Sequence, residues 1–347
     1  MENTNKRNLD TLRRQGEVLL PAIAYGDAAG LPVETRTAEY IAATHGQIAE
    51  LIPTKENPYF GSSEYPGTWS DDTQLSLAVA KALIKANGFD LKTLAETHLE
   101  AYNATEEIIR ERDGKLIKRG WGGSTTGAME KLQSGVSPLK SGSLDGTGNG
   151  VLMKMAPLAY WQAVRKTPAL TAYKQYDQLT NLTHNGAIAR MTTRIHGDVL
   201  AYLLREEYDK TTFLHVLEGS MVLHEFDAQQ VADIELGYMR DQLKYLYGTV
   251  NKDTILAETD AKGFYAPQTL AMAYGAFMAH NGEFTPSVYE AVNLGGDTDS
   301  LASIVASMSV FNTKDVLRMP IDHQNLEELQ ELKSVSRQLA THALQNL

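Results

Sequence analysis

The chain is 347 residues long and 43% hydrophobic, enough to fill a sizeable core in one large domain or two ordinary ones. Its formal charge of −11, from 32 Lys and Arg against 43 Asp and Glu, argues against electrostatic capture of nucleic acid or of an anionic membrane surface. With no cysteine there is no disulfide, thiolate zinc site, iron–sulfur cluster or cysteine nucleophile, so any hydrolysis must use oxygen or nitrogen groups.

In chain order, residues 1–16 are polar and read as an arm or an extra helix ahead of a domain spanning 17–347. The stretch Met1 to Asn8 has no apolar secretory run, which makes a cytoplasmic location the default expectation. Apolar spacing predicts a helix from Leu19 to Ala29. A second follows Asp71, where Leu75, Ala78, Val79, Ala82 and Leu83 form one stripe and Asn87-Gly88 supplies a stop. Asp71 and Gln74 have the spacing of a capping box. Further helices are predicted over Leu91 to Arg110, Ala187 to Leu204, Phe226 to Tyr247, Thr269 to Ala279 and Leu326 to Gln345, and another follows Asp299 through Leu301, Ile304, Val305 and Met308. Two stretches, Gly120 to Gly127 and Gly142 to Gly150, are rich enough in glycine and serine to read as loops. Strand-like alternation is scarce, and no repeat or Pro-rich linker marks a domain boundary. The apolar run Leu301 to Phe311 is too short and too interrupted by serine to cross a membrane.

Chemistry concentrates in two acidic patches near opposite ends of the chain, Trp69-Ser70-Asp71-Asp72-Thr73 and Gly295-Gly296-Asp297-Thr298-Asp299-Ser300. Each places two carboxylates and a hydroxyl at the start of a predicted helix. Acids there can simply cap free N–H groups and suit the helix dipole. Two such patches brought together would repel unless cations lay between them, and their donors are all hard oxygens, suited to magnesium, manganese or calcium rather than zinc.

Together with Gly26-Asp27-Ala28-Ala29-Gly30, Glu34, Asn149-Gly150-Val151-Leu152-Met153-Lys154 and Thr183-His184, these patches resemble the ordered motifs of the ADP-ribosylglycohydrolase family. The resemblance runs from about Leu20 to about Met308. It implies an all-α fold, a single compact orthogonal helical bundle with a binuclear site for two divalent cations, Mg2+ or Mn2+. The implied activity is hydrolysis of ADP-ribose from a modified acceptor, with ADP-ribosyl-arginine on protein favoured over other conjugates. By motif position the metal ligands would be Ser70, Asp71, Asp72, Asp297, Asp299 and Ser300. The family usually carries threonine where this chain has Ser70 and Ser300, which keeps a hydroxyl oxygen, and commonly arginine where it has Lys154.

The same resemblance assigns substrate contacts to Gly123 and Ser124 in the Gly120 to Thr125 segment, to Asn149, Gly150 and Val151, and to His184. Glycine-rich backbone ahead of a helix suits a diphosphate. Trp121 reads equally well as a core plug. Asp27, between small residues, reads as a local cap, and His196, His215, His224 and His280 show no partner spacing. The candidate general bases are Glu34, Asp71 and Asp72, with Glu34 or the less tightly held aspartate preferred, because a cation already stabilises the charge of its ligand. Expected partners are an ADP-ribosylated protein or small ADP-ribose conjugate and an ADP-ribosyltransferase. Two other readings stay open: a binder of ADP-ribose or of a transferase on the same scaffold with little turnover, and a metal phosphoesterase.

Overall fold

A computed structural model describes residues 8–345 apart from 56, 58–64, 110–113, 228–230 and 315–316. Among the described residues the chain folds into α1 (Leu9–Gly30), α2 (Ala38–His45), α3 (Asp71–Ala86), α4 (Leu91–Ala104), β1 (Glu107–Ile109), β2 (Leu116–Lys118), α5 (Gly123–Gln133), α6 (Ala156–Val164), α7 (Ala169–Thr183), α8 (Ala187–Arg205), α9 (Lys210–Asp227), α10 (Asp233–Leu243), α11 (Lys252–Glu258), α12 (Ala266–Ala279), α13 (Phe284–Asn293), α14 (Thr298–Asn312) and α15 (Leu329–Leu344). The all-α expectation holds; β1 and β2 form one short antiparallel hairpin.

Helices α1 and α14 cross at the centre, and both are buried on every side from Leu19 to Gly30 and from Thr298 to Phe311, as the innermost helices of a large core must be. Their backbones meet at Gly26 and Gly30. A Cβ at Gly26 would lie 2.3 Å from the Ala302 carbonyl oxygen, and one at Gly30 would lie 2.2 Å from that of Thr298. The Gly-x-x-x-Gly spacing thus sets how closely α1 approaches the helix that carries Asp299. Around this pair, α3, α6, α8, α12, α13 and α15 complete one continuous hydrophobic cluster.

From Leu9 onward the polar N-terminal segment is the first part of α1, not a separate arm. Asn8 caps it by accepting from the Thr11 N–H, and polar contacts across the molecule replace an apolar stripe. Gln15 donates to the Phe311 and Thr313 carbonyls, and the Tyr160 hydroxyl donates to that of Leu12. Residues 1–7 lie outside the described residues.

Three other element boundaries differ from the periodicity. The helix expected over Leu91 to Arg110 ends at Ala104, where the Thr105 hydroxyl donates back to the Ala101 carbonyl and the chain enters the isoleucine-bearing hairpin. The single helix expected from Phe226 to Tyr247 is instead the end of α9, the helix α10 and a 3-10 turn. The expected loop Gly120 to Gly127 becomes helical from Gly123, because Thr125, Ala128 and Met129 bury one face of α5. Helices α2, α6, α7, α11 and α13 and most of α9 lie outside the expected helices; α2 and α11 are short and α6 is buried on nearly every side, whereas α7, α9 and α13 are ordinary helices that the sequence reading does not pick out. No helix among the described residues is long and apolar enough to cross a membrane.

Candidate active site

The site forms where the end of α1 and the starts of α3 and α14 converge. Asp27 organises this corner. Wholly buried on α1, it accepts the Ser70 N–H at 2.9 Å from each carboxylate oxygen, the Thr73 N–H at 3.0 Å and the Thr73 hydroxyl at 2.6 Å. It is a cap, as its setting suggested, but of a helix 43 positions away rather than of its own. The expected capping box of Asp71 and Gln74 is not formed. Ser70 is the N-cap of α3, and the Gln74 carboxamide oxygen accepts from Trp121 Nε1 at 2.6 Å and from the Thr105 hydroxyl. Trp121 accordingly is buried, edge-on to Tyr102.

The two acidic patches meet at Asp72. Ser70 and Ser300 both donate to its Oδ2 at 3.3 Å, and Ser303, one turn further along α14, donates to Oδ1 at 2.7 Å. Asp297 stands at the N-cap of α14 and Asp299 in its first turn, directly after a glycine turn where Gly295 and Gly296 take φ of +75° and +79° against backbone at Arg36 and Lys262, leaving no room for a Cβ. Glu34 reaches them because its segment is tied to that turn: Thr35 N–H donates to the Gly296 carbonyl and Gly296 N–H to the Arg36 carbonyl, each at 2.7 Å. Thr35 holds φ +68°, a left-handed conformation costly for a β-branched residue. One oxygen each from Glu34, Asp297 and Asp299 lie within 4.8 Å of one another.

Asp71, Asp72, Asp297 and Asp299 are all nearly inaccessible, while Glu34 is half-buried. Desolvation first, then the charge of Asp299, holds the carboxyls of Glu34, Asp71, Asp72 and Asp297 well above the usual range; desolvation likewise raises Asp299. Asp27 is pushed up to about 7 by burial and then by Asp299, even against its hydrogen bonds. Asp299 Oδ1 is buried with no hydrogen-bond partner among the described residues. Crowded carboxyls of this kind and an orphaned hard oxygen fit a divalent cation, whose charge would offset the repulsion.

A cavity of ≈ 220 Å³, open to solvent on one side, lies over these acids. It is lined by Glu34, Asp71, Asp72, Asp297, Asp299 and Ser300 below, with Gly123 and Ser124 at the start of α5, Gly148 to Gly150 and His184 around the walls. Ser70 contributes from behind through Asp72. Asn149 turns its side chain to the protein, donating to Asp297 Oδ2 at 2.7 Å and to the Gly263 carbonyl, so it orients an acid. Val151, expected at the substrate, is wholly buried in the apolar core and absent from the lining, because the chain has already turned inward there. Sequence reasoning missed Ser303, Asn57, Met153 and Phe264. The i, i+3 spacing of Ser300 and Ser303 on α14 was a usable signal; Asn57, which donates to Glu34 Oε2 at 3.2 Å, and Phe264, on the cavity wall, had none. His224 and His280, without partners by spacing, pair in space with Asp198 and Glu290, away from the site.

A sequence model of the ADP-ribosylglycohydrolase family matches residues 17–309. The chain belongs to this family. It is 22% identical to the ADP-ribosylarginine hydrolase Tri1 of Serratia proteamaculans, over 84% of this chain and 69% of that protein. It is 24% identical to the ADP-ribosylhydrolase ARH3 of Gallus gallus, over 78% of this chain and 77% of that one. A solved structure described as an ADP-ribosylglycohydrolase-related protein complex superposes with a TM-score of 0.68 at 23% identity, over 96% of this chain and 99% of that one, a likeness of fold. The chain is thus a hydrolase of ADP-ribose linkages from a metal-dependent family, with an acidic cluster that could bind a metal, and α15, beyond the family match, packs onto α1, where Ser336 donates to the Gly16 carbonyl.

Proposed function

We propose that the enzyme releases ADP-ribose from arginine side chains of modified proteins by attack of water at the anomeric carbon. The observation carrying the reading is the meeting of Glu34, Asp297 and Asp299, with Asp299 Oδ1 left unpartnered among the described residues, on the floor of a cavity walled by glycine backbone. Two divalent cations, magnesium or manganese, held by Asp71, Asp72, Asp297 and Asp299 with Ser70 and Ser300, would supply positive charge to balance these acids and help hold the ribose hydroxyls. Free N–H groups at the uncapped start of α5, around Gly123 and Ser124, and of Gly150 suit the diphosphate. His184 lies beside them to contact the nucleotide portion.

Positive charge grows on the ribose ring as the glycosidic bond breaks, and the attacking water must lose a proton. Glu34 takes that proton in this reading. It alone among the site acids is half open, and with Asn57 on Oε2 its Oε1 has no partner among the described residues. Asp72 is poorly placed for the task, since three hydroxyls already donate to its two oxygens. A guanidinium acceptor suits the acidic cavity better than a neutral or anionic one, in line with the name of the Serratia relative.

The test offers the purified protein ADP-ribosylated arginine, serine and acyl conjugates with each metal and follows free ADP-ribose. Release from the arginine conjugate above the others is the expected result. Preference for serine or acyl conjugates overturns the acceptor, binding without release supports a blocking protein on this scaffold, and a product with a cleaved diphosphate makes it a phosphoesterase.

A further inference from the structure

His184 closes the cavity wall opposite the acids, and the state of its ring is set from behind. Its Nδ1 lies 2.9 Å from Thr183 Oγ1, and that same oxygen lies 2.9 Å from Lys154 Nζ. All three residues are buried, and the Thr183 hydroxyl has these two partners alone among the described residues. Burial lowers Lys154 to about 7, and below that pH it is an ammonium with N–H donors only, so one lone pair of Oγ1 is occupied by it. The single hydroxyl proton must then go to Nδ1. Were Nδ1 protonated instead, the hydroxyl would accept twice and its own proton would be buried with no acceptor.

We propose that Thr183, anchored by the buried Lys154, is a positioning residue that fixes His184 as the neutral Nε2–H tautomer, making it a hydrogen-bond donor toward substrate oxygen and not a base. The opposite edge of the ring is the one that meets the cavity. A Cβ at Gly150 would lie 2.9 Å from His184 Cε1 and 3.3 Å from Nε2, so glycine at 150 is what lets that edge stand against the phosphate-side loop. Nε2 has no protein partner among the described residues, and its residue lines the cavity. The consequence for turnover rests on the ADP-ribose hydrolase reading; the tautomer does not.

Full-length protein labelled with 15N-histidine, in magnesium buffer at pH 6 without substrate, is read by long-range 1H–15N correlation, with His184 assigned by loss of its signals in His184→Gln. The expected spectrum shows unprotonated Nδ1 and protonated Nε2. Thr183→Ser keeps that pattern and kcat/KM within about twofold. Thr183→Val mixes the tautomers and lowers kcat/KM on the order of tenfold, the worth of one neutral hydrogen bond. Lys154→Met, which frees the hydroxyl to rotate, also mixes them and serves if the valine variant does not fold. A wild-type Nδ1–H pattern, or an unchanged His184 in both Thr183→Val and Lys154→Met, overturns the proposal. Absence of ADP-ribose release from every conjugate, with the tautomer as expected, would count against the hydrolase reading alone.

Discussion

Gly30→Ala probes the crossing on which the whole site depends. The added Cβ would sit 2.2 Å from the Thr298 carbonyl oxygen and 2.4 Å from the Asp299 nitrogen, where real contacts are not closer than 3.0 Å. Both obstacles are helix backbone and cannot swing aside, so α1 and α14 must part locally by about 0.8 Å, the difference between those two oxygen distances. Forced overpacking of this kind costs about 3 kcal/mol, and the better helix propensity of alanine returns about 1, leaving a net loss of ~2 kcal/mol. The displaced atoms belong to Thr298 and Asp299 of the second acidic patch, so turnover should fall on the order of 10²-fold, as for angstrom-scale misplacement of reacting groups. Urea unfolding gives the first quantity and ADP-ribose release at saturating metal the second. Gly237→Ala is the internal control: it is also a helical glycine, nothing lies within 4 Å of its would-be Cβ, and it should stabilise by about 0.5–1 kcal/mol with full activity. A Gly30→Ala protein as stable and active as Gly237→Ala would refute the claim that this close approach positions the acids.

The remaining predictions concern the acids and their supports. Asp299→Asn should abolish turnover yet raise the melting temperature of the metal-free protein, since Asp299 is the leading charge acting on Asp71, Asp72 and Asp297; a lowered melting temperature would show that repulsion there is slight. Because the folded state holds these carboxyls above their unfolded range, with Asp27 at about 7 against 3.8, it binds more protons than the unfolded chain, and metal-free stability should fall as pH rises from about 4 through about 7. Magnesium or manganese should therefore raise the thermal midpoint more at pH 8 than at pH 5.5; equal shifts at both would contradict the assigned protonation. Thr35→Gly should stabilise by about 1 kcal/mol by relieving the left-handed backbone, measured by urea unfolding, while loosening Glu34 enough to lower kcat.

Much of this protein is readable from sequence because its signals are local. The helix from Asp71 shows its stripe, its acidic first turn and its Asn87-Gly88 stop in one stretch, and the structure closes it there with Asn87 at φ +49°. The acidic patches are likewise compact motifs, and so are the Gly-Asp-x-x-Gly and Asn-Gly-Val-Leu-Met blocks that carry the family resemblance. Composition settled the absence of cysteine chemistry, and scarcity of alternation settled the helical class. Among what the sequence reading misses are helices without a contrasting polar face, such as α6, the amphipathic α7 and α13, and the polar start of α1, which is held by side chains reaching backbone carbonyls some 300 positions away.

Only the tertiary structure decides what each acid is for. Asp27 reads as a local cap, yet its oxygens serve α3; Asn149 reads as a substrate contact, yet its amide is spent on Asp297 and Gly263. Asp72, a candidate base by its place in the acidic motif, is surrounded by serine hydroxyls from two helices, while Glu34 keeps an oxygen toward the cavity. A sequence specifies which groups are present and the local turns they favour. Hydrogen-bond partnership, burial and the repulsion between carboxyls depend on distances of a few angstroms between segments far apart in the chain, and these exist only once α1, α3 and α14 have packed.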